Sequence, residues 1–269
     1  AVTITTNDDS GADAHAEING GSTIGLKIAR GSSVKGNLTL SSGHGATITD
    51  EGDAGVVTVD GNLTATTYAN NGSITLNDLA VDGTIGLNTH GTGDATVVND
   101  AGLQFAASSV GGDLHATATT GNMTQSEALD IEGTTTLITT ASNASITLGT
   151  TSNAFTGALL ITTNDNDSGG TDGDVTIHGG TTALVLGAST IDGDLTLTSA
   201  ATGTAGMTDN GTLDIRGTTT ISASNVDVTL DSVTNNFQGA VAINGVDIIL
   251  KDANDIDLAA STVTGNYTL

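Results

Sequence analysis

Short runs of alternating apolar and polar residues recur along the whole chain. Leu195-Thr196-Leu197 and Ile146-Thr147-Leu148 are two such runs, and each has an apolar side chain at every second position. A period of two predicts short β-strands that turn one face to a core and the other to water. Strong helix formers other than Ala and Leu are scarce, so we expect almost no helix. The predicted fold class is therefore all-β.

The alternating runs belong to long internal repeats. Four closely matching segments have their aligned glycines at Gly36, Gly112, Gly193 and Gly265, with spacings of 76, 81 and 72. The spacing predicts long repeats at approximately 33–108, 109–188 and 189–260, with partial repeats at 1–32 and 261–269. The sequence therefore begins and ends within a repeat.

Each long repeat divides into shorter units, in which a glycine precedes an alternating run. Most of these glycines are 21–29 positions apart. One such unit cannot bury its apolar side chains alone, whereas stacked units form a continuous core. The sequence therefore predicts a parallel β-helix, or β-solenoid, of about 10–12 coils that runs as one continuous domain over 1–269. The absence of Pro agrees, because every coil must donate backbone hydrogen bonds to its neighbours.

Aromatic residues are few, and two of them occupy equivalent places in successive long repeats. Phe155 and Phe237 each follow a matching asparagine, Asn153 and Asn235. We expect the two phenylalanines to lie in the core and the two asparagines to form hydrogen bonds at corners.

Charge and composition narrow the classes of partner. Five Lys and Arg residues stand against 30 Asp and Glu, for a formal net charge of −25. Nucleic acids and anionic membranes require basic patches, so the charge argues against both. The chain has no Cys, which excludes disulfides and thiol chemistry. No apolar stretch is long enough for a membrane-spanning helix.

The segment 211–269 carries three motifs in order: GTTT at 217–220, NNFQGAV at 235–241 and LKDAN at 250–254. It resembles repeats of very large secreted bacterial proteins of the filamentous-haemagglutinin type. The resemblance covers 1–269 and is strongest over 109–269. It implies a right-handed parallel β-helix, export to the cell surface, and work as an adhesin or filament.

One acidic loop is a candidate metal site. The segment 164–174 carries Asp165, Asp167, Asp172 and Asp174 among glycines. Calcium prefers oxygen ligands, and carboxylates on a short loop supply them. We therefore hypothesise that these four residues bind Ca²⁺. The alternative is a solvated acidic loop with no ligand.

No constellation of residues predicts catalysis. Parallel β-helices often carry polysaccharide-degrading enzymes, which keeps that class as an alternative. However, three of the five basic residues lie within 27–35, far in sequence from the acidic loop, and only two tyrosines could stack on sugars. Threonines on a flat solenoid face can also bind ice, which is a further alternative. We predict no catalytic and no cofactor-binding residues.

The sequence as a whole favours an extracellular or cell-surface structural protein. We expect a filament subunit or a stalk segment that stacks end to end through open coils. Its partner would then be another copy, head to tail, or the adjoining repeats of a longer chain. The alternative is an adhesin module that binds a surface receptor or a glycan.

Overall fold

The computed structural model describes residues 1–7, 14–21, 25–43, 46–52, 55–68, 71–164, 172–203 and 206–269. Within these ranges, every regular element is a β-strand. None of the described segments forms a helix long and apolar enough to cross a membrane. The chain divides into two compact units, which we call unit 1 (Ala1–Gly133) and unit 2 (Thr134–Leu269).

Unit 1 contains strands of two to eight residues. They are β1 Ala16–Asn19, β2 Leu26–Ile28, β3 Ser33–Val34, β4 Leu38–Ser42, β5 Ile48–Asp50, β6 Val57–Val59, β7 Leu63–Thr67, β8 Ile74–Val81, β9 Thr84–Asn88, β10 Ala95–Asn99, β11 Leu103–Phe105, β12 Ser108–Val110, β13 Leu114–Ala118, β14 Met123–Gln125 and β15 Leu129–Ile131.

The strands of unit 1 stack in parallel columns. One column runs through β1, β4, β7, β9, β11 and β14. A second runs through β2, β5, β8, β10 and β13. A third joins β3 and β6 to the far end of the long strand β8, and β12 pairs with β15. The register stacks like on like, since Leu38 pairs with Leu63 and Leu63 pairs with Ile85.

Unit 2 contains strands of two to five residues. They are β16 Thr135–Thr139, β17 Ile146–Leu148, β18 Ala154–Phe155, β19 Ala158–Thr162, β20 Val175–His178, β21 Leu184–Leu186, β22 Ser189–Ile191, β23 Leu195–Thr198, β24 Met207–Asp209, β25 Leu213–Ile215, β26 Thr219–Ser222, β27 Val228–Leu230, β28 Asn236–Phe237, β29 Val241–Gly245, β30 Ile248–Leu250, β31 Thr262–Val263 and β32 Tyr267–Thr268.

The described strands that pair within unit 2 form three parallel columns. The first runs through β17, β20, β23, β26, β29 and β31. The second runs through β16, β19, β21, β24, β27, β30 and β32. The third runs through β22, β25 and β28. One coil passes once through each column, as β23, β24 and β25 do before β26 begins the next coil.

Both units are therefore β-solenoids, and the predicted fold class is confirmed. The described strands form about 11 coils, which agrees with the expected number.

Among the paired strands, the longest step from coil to coil runs from Ile146 to Val175, and the shortest runs from Asn244 to Thr262. The shortest step is smaller than the 21–29 positions that separate most of the repeated glycines in the sequence. The two measures differ because some successive glycines lie in different columns. Gly112, for example, donates its N–H to the carbonyl of Gly93.

Inward-facing side chains build the core of each unit, because alternation sends every second side chain to the same face. Phe155 and Phe237 are both buried, as predicted. Asn153 and Asn235 are buried beside them. Asn235 Oδ1 accepts the backbone N–H of Leu213 at 2.9 Å, which confirms the expected corner role.

Two buried threonine hydroxyls, those of Thr135 and Thr219, have no hydrogen-bond partner in the described part of the chain. Thr219 lies between Leu195 and Val241 in the first column of unit 2. A buried hydroxyl without a partner costs about 1–3 kcal/mol. We therefore expect Thr219→Val to raise the free energy of unfolding by about 1 kcal/mol. Urea titration followed by circular dichroism measures the change, with the exposed Thr220→Val as control. A lower midpoint for Thr219→Val would contradict the prediction.

Candidate functional site

One corner of the coils repeats a glycine followed by a polar residue at the start of a strand. Gly193 and Asp194 precede β23, and Gly217 and Thr218 precede β26, one coil further on. The Gly217 N–H donates to the Gly193 carbonyl at 3.1 Å. The Thr218 N–H donates to Asp194 Oδ1 at 2.7 Å. We call this arrangement the glycine–Asx corner, because an Asp or Asn side chain of one coil holds the backbone of the next.

The glycine of this corner is required by the side chain one coil earlier. A Cβ built on Gly217 would lie 2.4 Å from Asp194 Oδ1. In unit 1, a Cβ on Gly61 would lie 2.4 Å from Asn37 Oδ1. Both distances are far inside van der Waals contact, so any larger residue displaces the acceptor. The glycine therefore recurs in the sequence because the neighbouring coil leaves no space for a Cβ at this position.

Asx acceptors of this kind precede strands of the first column in both units and also strands of the second column, where Asp94, Asp227 and Asp247 lie. Valine rather than glycine precedes Asp227 and Asp247. Each acceptor takes a backbone N–H of the next coil at 2.6–3.1 Å. These acceptors are Asn37, Asn62, Asp94, Asp174, Asp194, Asp227 and Asp247. The bond uses one oxygen atom, which an amide supplies as well as a carboxylate does. The negative charge at these positions is thus not needed for the hydrogen bond.

The four candidate calcium ligands differ in whether the structure describes them and in how exposed they are. Asp165 and Asp167 lie outside the described residues. Asp172 is half-buried, and Asp174 is exposed. Asp174 occupies a glycine–Asx corner, where its Oδ1 accepts the Asp194 N–H at 2.8 Å. Among the residues that the structure describes, no three His, Cys, Asp or Glu side chains gather to hold a metal ion. The calcium site stays a prediction.

Two substitutions separate the structural role of Asp174 from a role in metal binding. Asp174→Asn keeps the acceptor oxygen, so its stability should stay within about 0.5 kcal/mol of the parent chain. Asp174→Ala removes the acceptor and should cost about 1 kcal/mol. Thermal unfolding without and with calcium measures both effects. An equal loss for both variants would show that charge, rather than the hydrogen bond, holds this corner. A calcium-dependent rise in Tm that Asp174→Asn abolishes would support the metal site.

A buried ion pair links two coils of unit 2 beside the same corner. Asp192 and Arg216 immediately precede Gly193 and Gly217, so they stack one coil apart. Arg216 Nη1 donates to Asp192 Oδ1 at 2.7 Å, and the Asp192 side chain is only 2% exposed. The Asp192 N–H also donates to the buried Thr163 Oγ1 at 2.9 Å. The pair and this hydrogen bond therefore tie three coils together around the buried Asp192.

The cavity beside this ion pair is small. Its volume is about 80 Å³, and its lining includes Asp192, Asp214, Arg216 and Gln238. Pockets that bind organic ligands typically measure about 300–1,000 Å³, so this cavity is well below that range. Its size suits bridging water rather than an organic ligand. We therefore interpret the ion pair as a stabilising contact and not as a binding site.

Residues 251–269, which we call the open coil, carry two of the exposed large apolar side chains of unit 2, Leu258 and Leu269. Leu258 forms a bridge to Val241, which is 0% exposed, yet Leu258 itself is 40% exposed. Leu269 is 64% exposed, and it lines a groove of about 270 Å³ together with Val233 and Ile256. The open coil thus covers the preceding core column but leaves its own apolar side chains accessible.

Polar groups in the open coil are incompletely satisfied. Asp252, which also lines the groove, has one carboxylate oxygen that is buried without a hydrogen-bond partner among the described residues. Burial raises the pKa of the Tyr267 hydroxyl, against a smaller lowering effect of Ser261. Buried polar atoms in folded proteins normally have a hydrogen-bond partner, so the Asp252 oxygen lacks a contact that a further element would supply.

Comparisons with known proteins give one relationship. Neither the curated proteins nor the solved structures include a match to this chain. A family of repeats of unknown function (DUF5649) matches residues 92–162 and 172–244, which together are more than half of the chain. The two matched segments begin at positions 92 and 172, a spacing close to that between Gly112 and Gly193. The chain therefore belongs to the family of DUF5649 repeats.

Proposed function

We propose that this chain is a structural segment of a secreted, cell-surface protein, either a filament subunit or a stalk segment that stacks end to end through its open coil. The repeated β-solenoid coils support a structural module. The resemblance to filamentous-haemagglutinin-type repeats supports export and an adhesive assembly. The net charge of −25 fits salt-rich surroundings, where self-repulsion is screened.

The open coil is the observation that carries this proposal. Val241 is fully buried where Leu258 covers it, so the same column is expected to be buried again by a further coil. Exposed clusters of apolar side chains commonly mark a contact surface. Strands β31 and β32 pair along one edge only in the described part of unit 2. An unpaired strand edge is a template for another strand.

Another coil of the same repeat type fits this surface best, because it offers both a parallel strand edge and an apolar column. It comes from a second copy, head to tail, or from adjoining repeats of a longer chain. A head-to-tail contact that does not close into a ring builds an open filament. The proposal assigns this chain no catalytic step.

Sedimentation and cryo-electron microscopy of the 269-residue chain test self-stacking. We expect end-to-end filaments whose length grows with protein concentration. The double variant Leu258→Asp, Leu269→Asp places two charges on the open coil and should leave monomers with an unchanged circular dichroism spectrum. Val56→Asp is the matched control, because Val56 is an exposed apolar residue (38%) in unit 1, and it should assemble normally.

Two results would contradict self-stacking. One is a parent chain that stays monomeric at every concentration, which would leave adjoining repeats of a longer chain as the partner. The other is assembly that the double variant does not change. If the monomer were also retained on a glycan or receptor matrix, the adhesin module would become the better proposal.

A further inference from the structure

The chain contains four Asn–Gly dipeptides, at 19–20, 71–72, 210–211 and 244–245. Asparagine followed by glycine is prone to chemical change, because glycine has no side chain to hinder attack by its own backbone nitrogen. The four dipeptides differ in the hydrogen bonds that their side chains and backbone N–H groups form. We propose that Asn210–Gly211 is a site of spontaneous deamidation in the folded protein and that the other three are protected.

The reaction needs only the chain and water. The backbone nitrogen of Gly211 attacks Cγ of Asn210, a new N–C bond forms, and ammonia leaves from the side chain. Water then opens the resulting succinimide ring at either carbonyl. One opening gives aspartate, and the other gives isoaspartate, in which the main chain runs through the former side chain. No oxidant or reductant is involved.

Two of the other asparagines have their side chains engaged by a neighbouring coil. Asn71 Oδ1 accepts the N–H of Thr92 at 2.9 Å. Asn244 Oδ1 accepts the N–H of Thr262 at 2.9 Å. Each bond holds the carboxamide toward the next coil and restrains its rotation toward the following backbone nitrogen. Formation of the ring would first have to break a contact between coils.

At the third dipeptide the nucleophile is engaged. The Gly20 N–H donates to the Ser41 carbonyl at 2.7 Å, and Asn19 also contacts the Ser41 hydroxyl. By contrast, Asn210 is exposed, and neither its side chain nor the Gly211 N–H has a hydrogen bond from the described residues. Both reacting groups are therefore available at 210–211 alone.

The fold also keeps the reactive glycine in place. A Cβ built on Gly211 would lie 2.4 Å from the backbone nitrogen of Ala188. A larger residue at this position would collide with the preceding coil. The dipeptide can therefore lose its reactivity only by a change at Asn210, which is on the solvent side.

Deamidation at this position would disturb a well-connected corner. The adjacent Asp209 accepts the N–H of Asp231 at 3.0 Å and the side-chain amide of Asn235 at 2.6 Å. The product adds a negative charge beside Asp209. The isoaspartyl form also lengthens the main chain between β24 and β25, where Gly211 already packs against Ala188. Aged protein should therefore unfold at a lower temperature than fresh protein.

Peptide mapping by mass spectrometry, after incubation of the native chain at mildly alkaline pH, tests the proposal. We expect the mass increase for exchange of NH₂ by OH to accumulate several-fold faster at Asn210 than at Asn19, Asn71 or Asn244. In urea, where no coil protects them, the four sites should react at similar rates. The order of the four deamidation rates in the native chain is therefore the test. Asn210 that reacts no faster than the other three would overturn the proposal.

Two variants connect the chemistry to stability. Asn210→Gln keeps the amide but forms the corresponding ring slowly, so its Tm should not fall with incubation. Asn210→Asp adds the charge at once without lengthening the main chain in fresh protein. A fall in Tm on ageing that Asn210→Gln shares with the parent would show that the change arises elsewhere.

Discussion

Replacing Gly217 by alanine should lower the free energy of unfolding by about 3 kcal/mol, the upper part of the range for an overpacked position. The new Cβ would lie 2.4 Å from Asp194 Oδ1 and 2.5 Å from the Gly193 carbonyl. The side chain of Asp194 can move, but the Gly193 backbone is fixed by the coil below. Urea titration followed by circular dichroism measures the loss.

Gly149→Ala is the matched control for this experiment. Gly149 is an exposed glycine of the same unit, and a Cβ built on it meets nothing within 4 Å. Alanine reduces the freedom of the unfolded chain, so this variant should be neutral or more stable by about 0.4–1 kcal/mol. Equal losses at Gly217 and Gly149 would mean that contact between coils does not decide where glycine is needed. The double variant Gly217→Ala, Asp194→Gly should recover only part of the loss, because the clash with Gly193 remains.

Removing the guanidinium of Arg216 should also destabilise unit 2 strongly. Arg216→Ala leaves the Asp192 carboxylate buried without its cation, and a broken buried pair typically costs about 3–5 kcal/mol. Arg216 itself is 33% exposed, so water can partly replace it, and we expect about 3 kcal/mol. The loss should shrink in the double variant Arg216→Ala, Asp192→Ala, since no uncompensated charge is then buried. Thermal unfolding of the three variants measures this coupling.

The chain contains its own control for the ion pair. Lys35 Nζ lies 3.0 Å from Asp60 Oδ2 at the equivalent place in unit 1, but both side chains are more than a third exposed. Exposed pairs contribute about 0–1 kcal/mol, so Lys35→Ala should have little effect. If Lys35→Ala and Arg216→Ala cost the same, burial of Asp192 would not be the reason for the larger loss.

Much of the solenoid could be predicted from the sequence because its determinants are local. Alternation in runs such as Leu195-Thr196-Leu197 defines a buried and an exposed face within a few residues. The aligned glycines Gly112 and Gly193 revealed the long repeat, and Phe155 and Phe237, at equivalent places within it, both lie in the core. The number of coils followed from the spacing of glycines.

The contacts between coils were harder to predict, because they join residues that are a whole coil apart in the sequence. The sequence showed that glycine recurs at 193 and 217 but not that the preceding coil fills the space of its Cβ. The Asp192–Arg216 pair had a signal that sequence reasoning missed. Opposite charges stand immediately before two aligned glycines, as they do at Lys35 and Asp60. Alignment by coil rather than by long repeat would have found both pairs.

The exposure of the open coil is a second feature that sequence reasoning could not predict. Leu258 and Leu269 have the same pattern as buried core residues, so alternation alone assigns them to the interior. Their exposure is a property of what lies next to them rather than of their own segment. The candidate calcium ligands likewise depend on neighbours, since Asp174 has a structural partner in Asp194.

The glycine–Asx corner has a consequence for how such chains change over generations. Each corner contacts only the coil before it and the coil after it, so a duplicated segment that begins and ends at equivalent corners fits between any two others. Recombination between similar repeats would then lengthen or shorten the protein in whole coils without new contacts having to evolve. A deletion of one or two residues inside a strand would instead move the alternating side chains to the wrong face. Homologous chains should therefore differ in length by complete coils, with smaller insertions confined to the loops between columns.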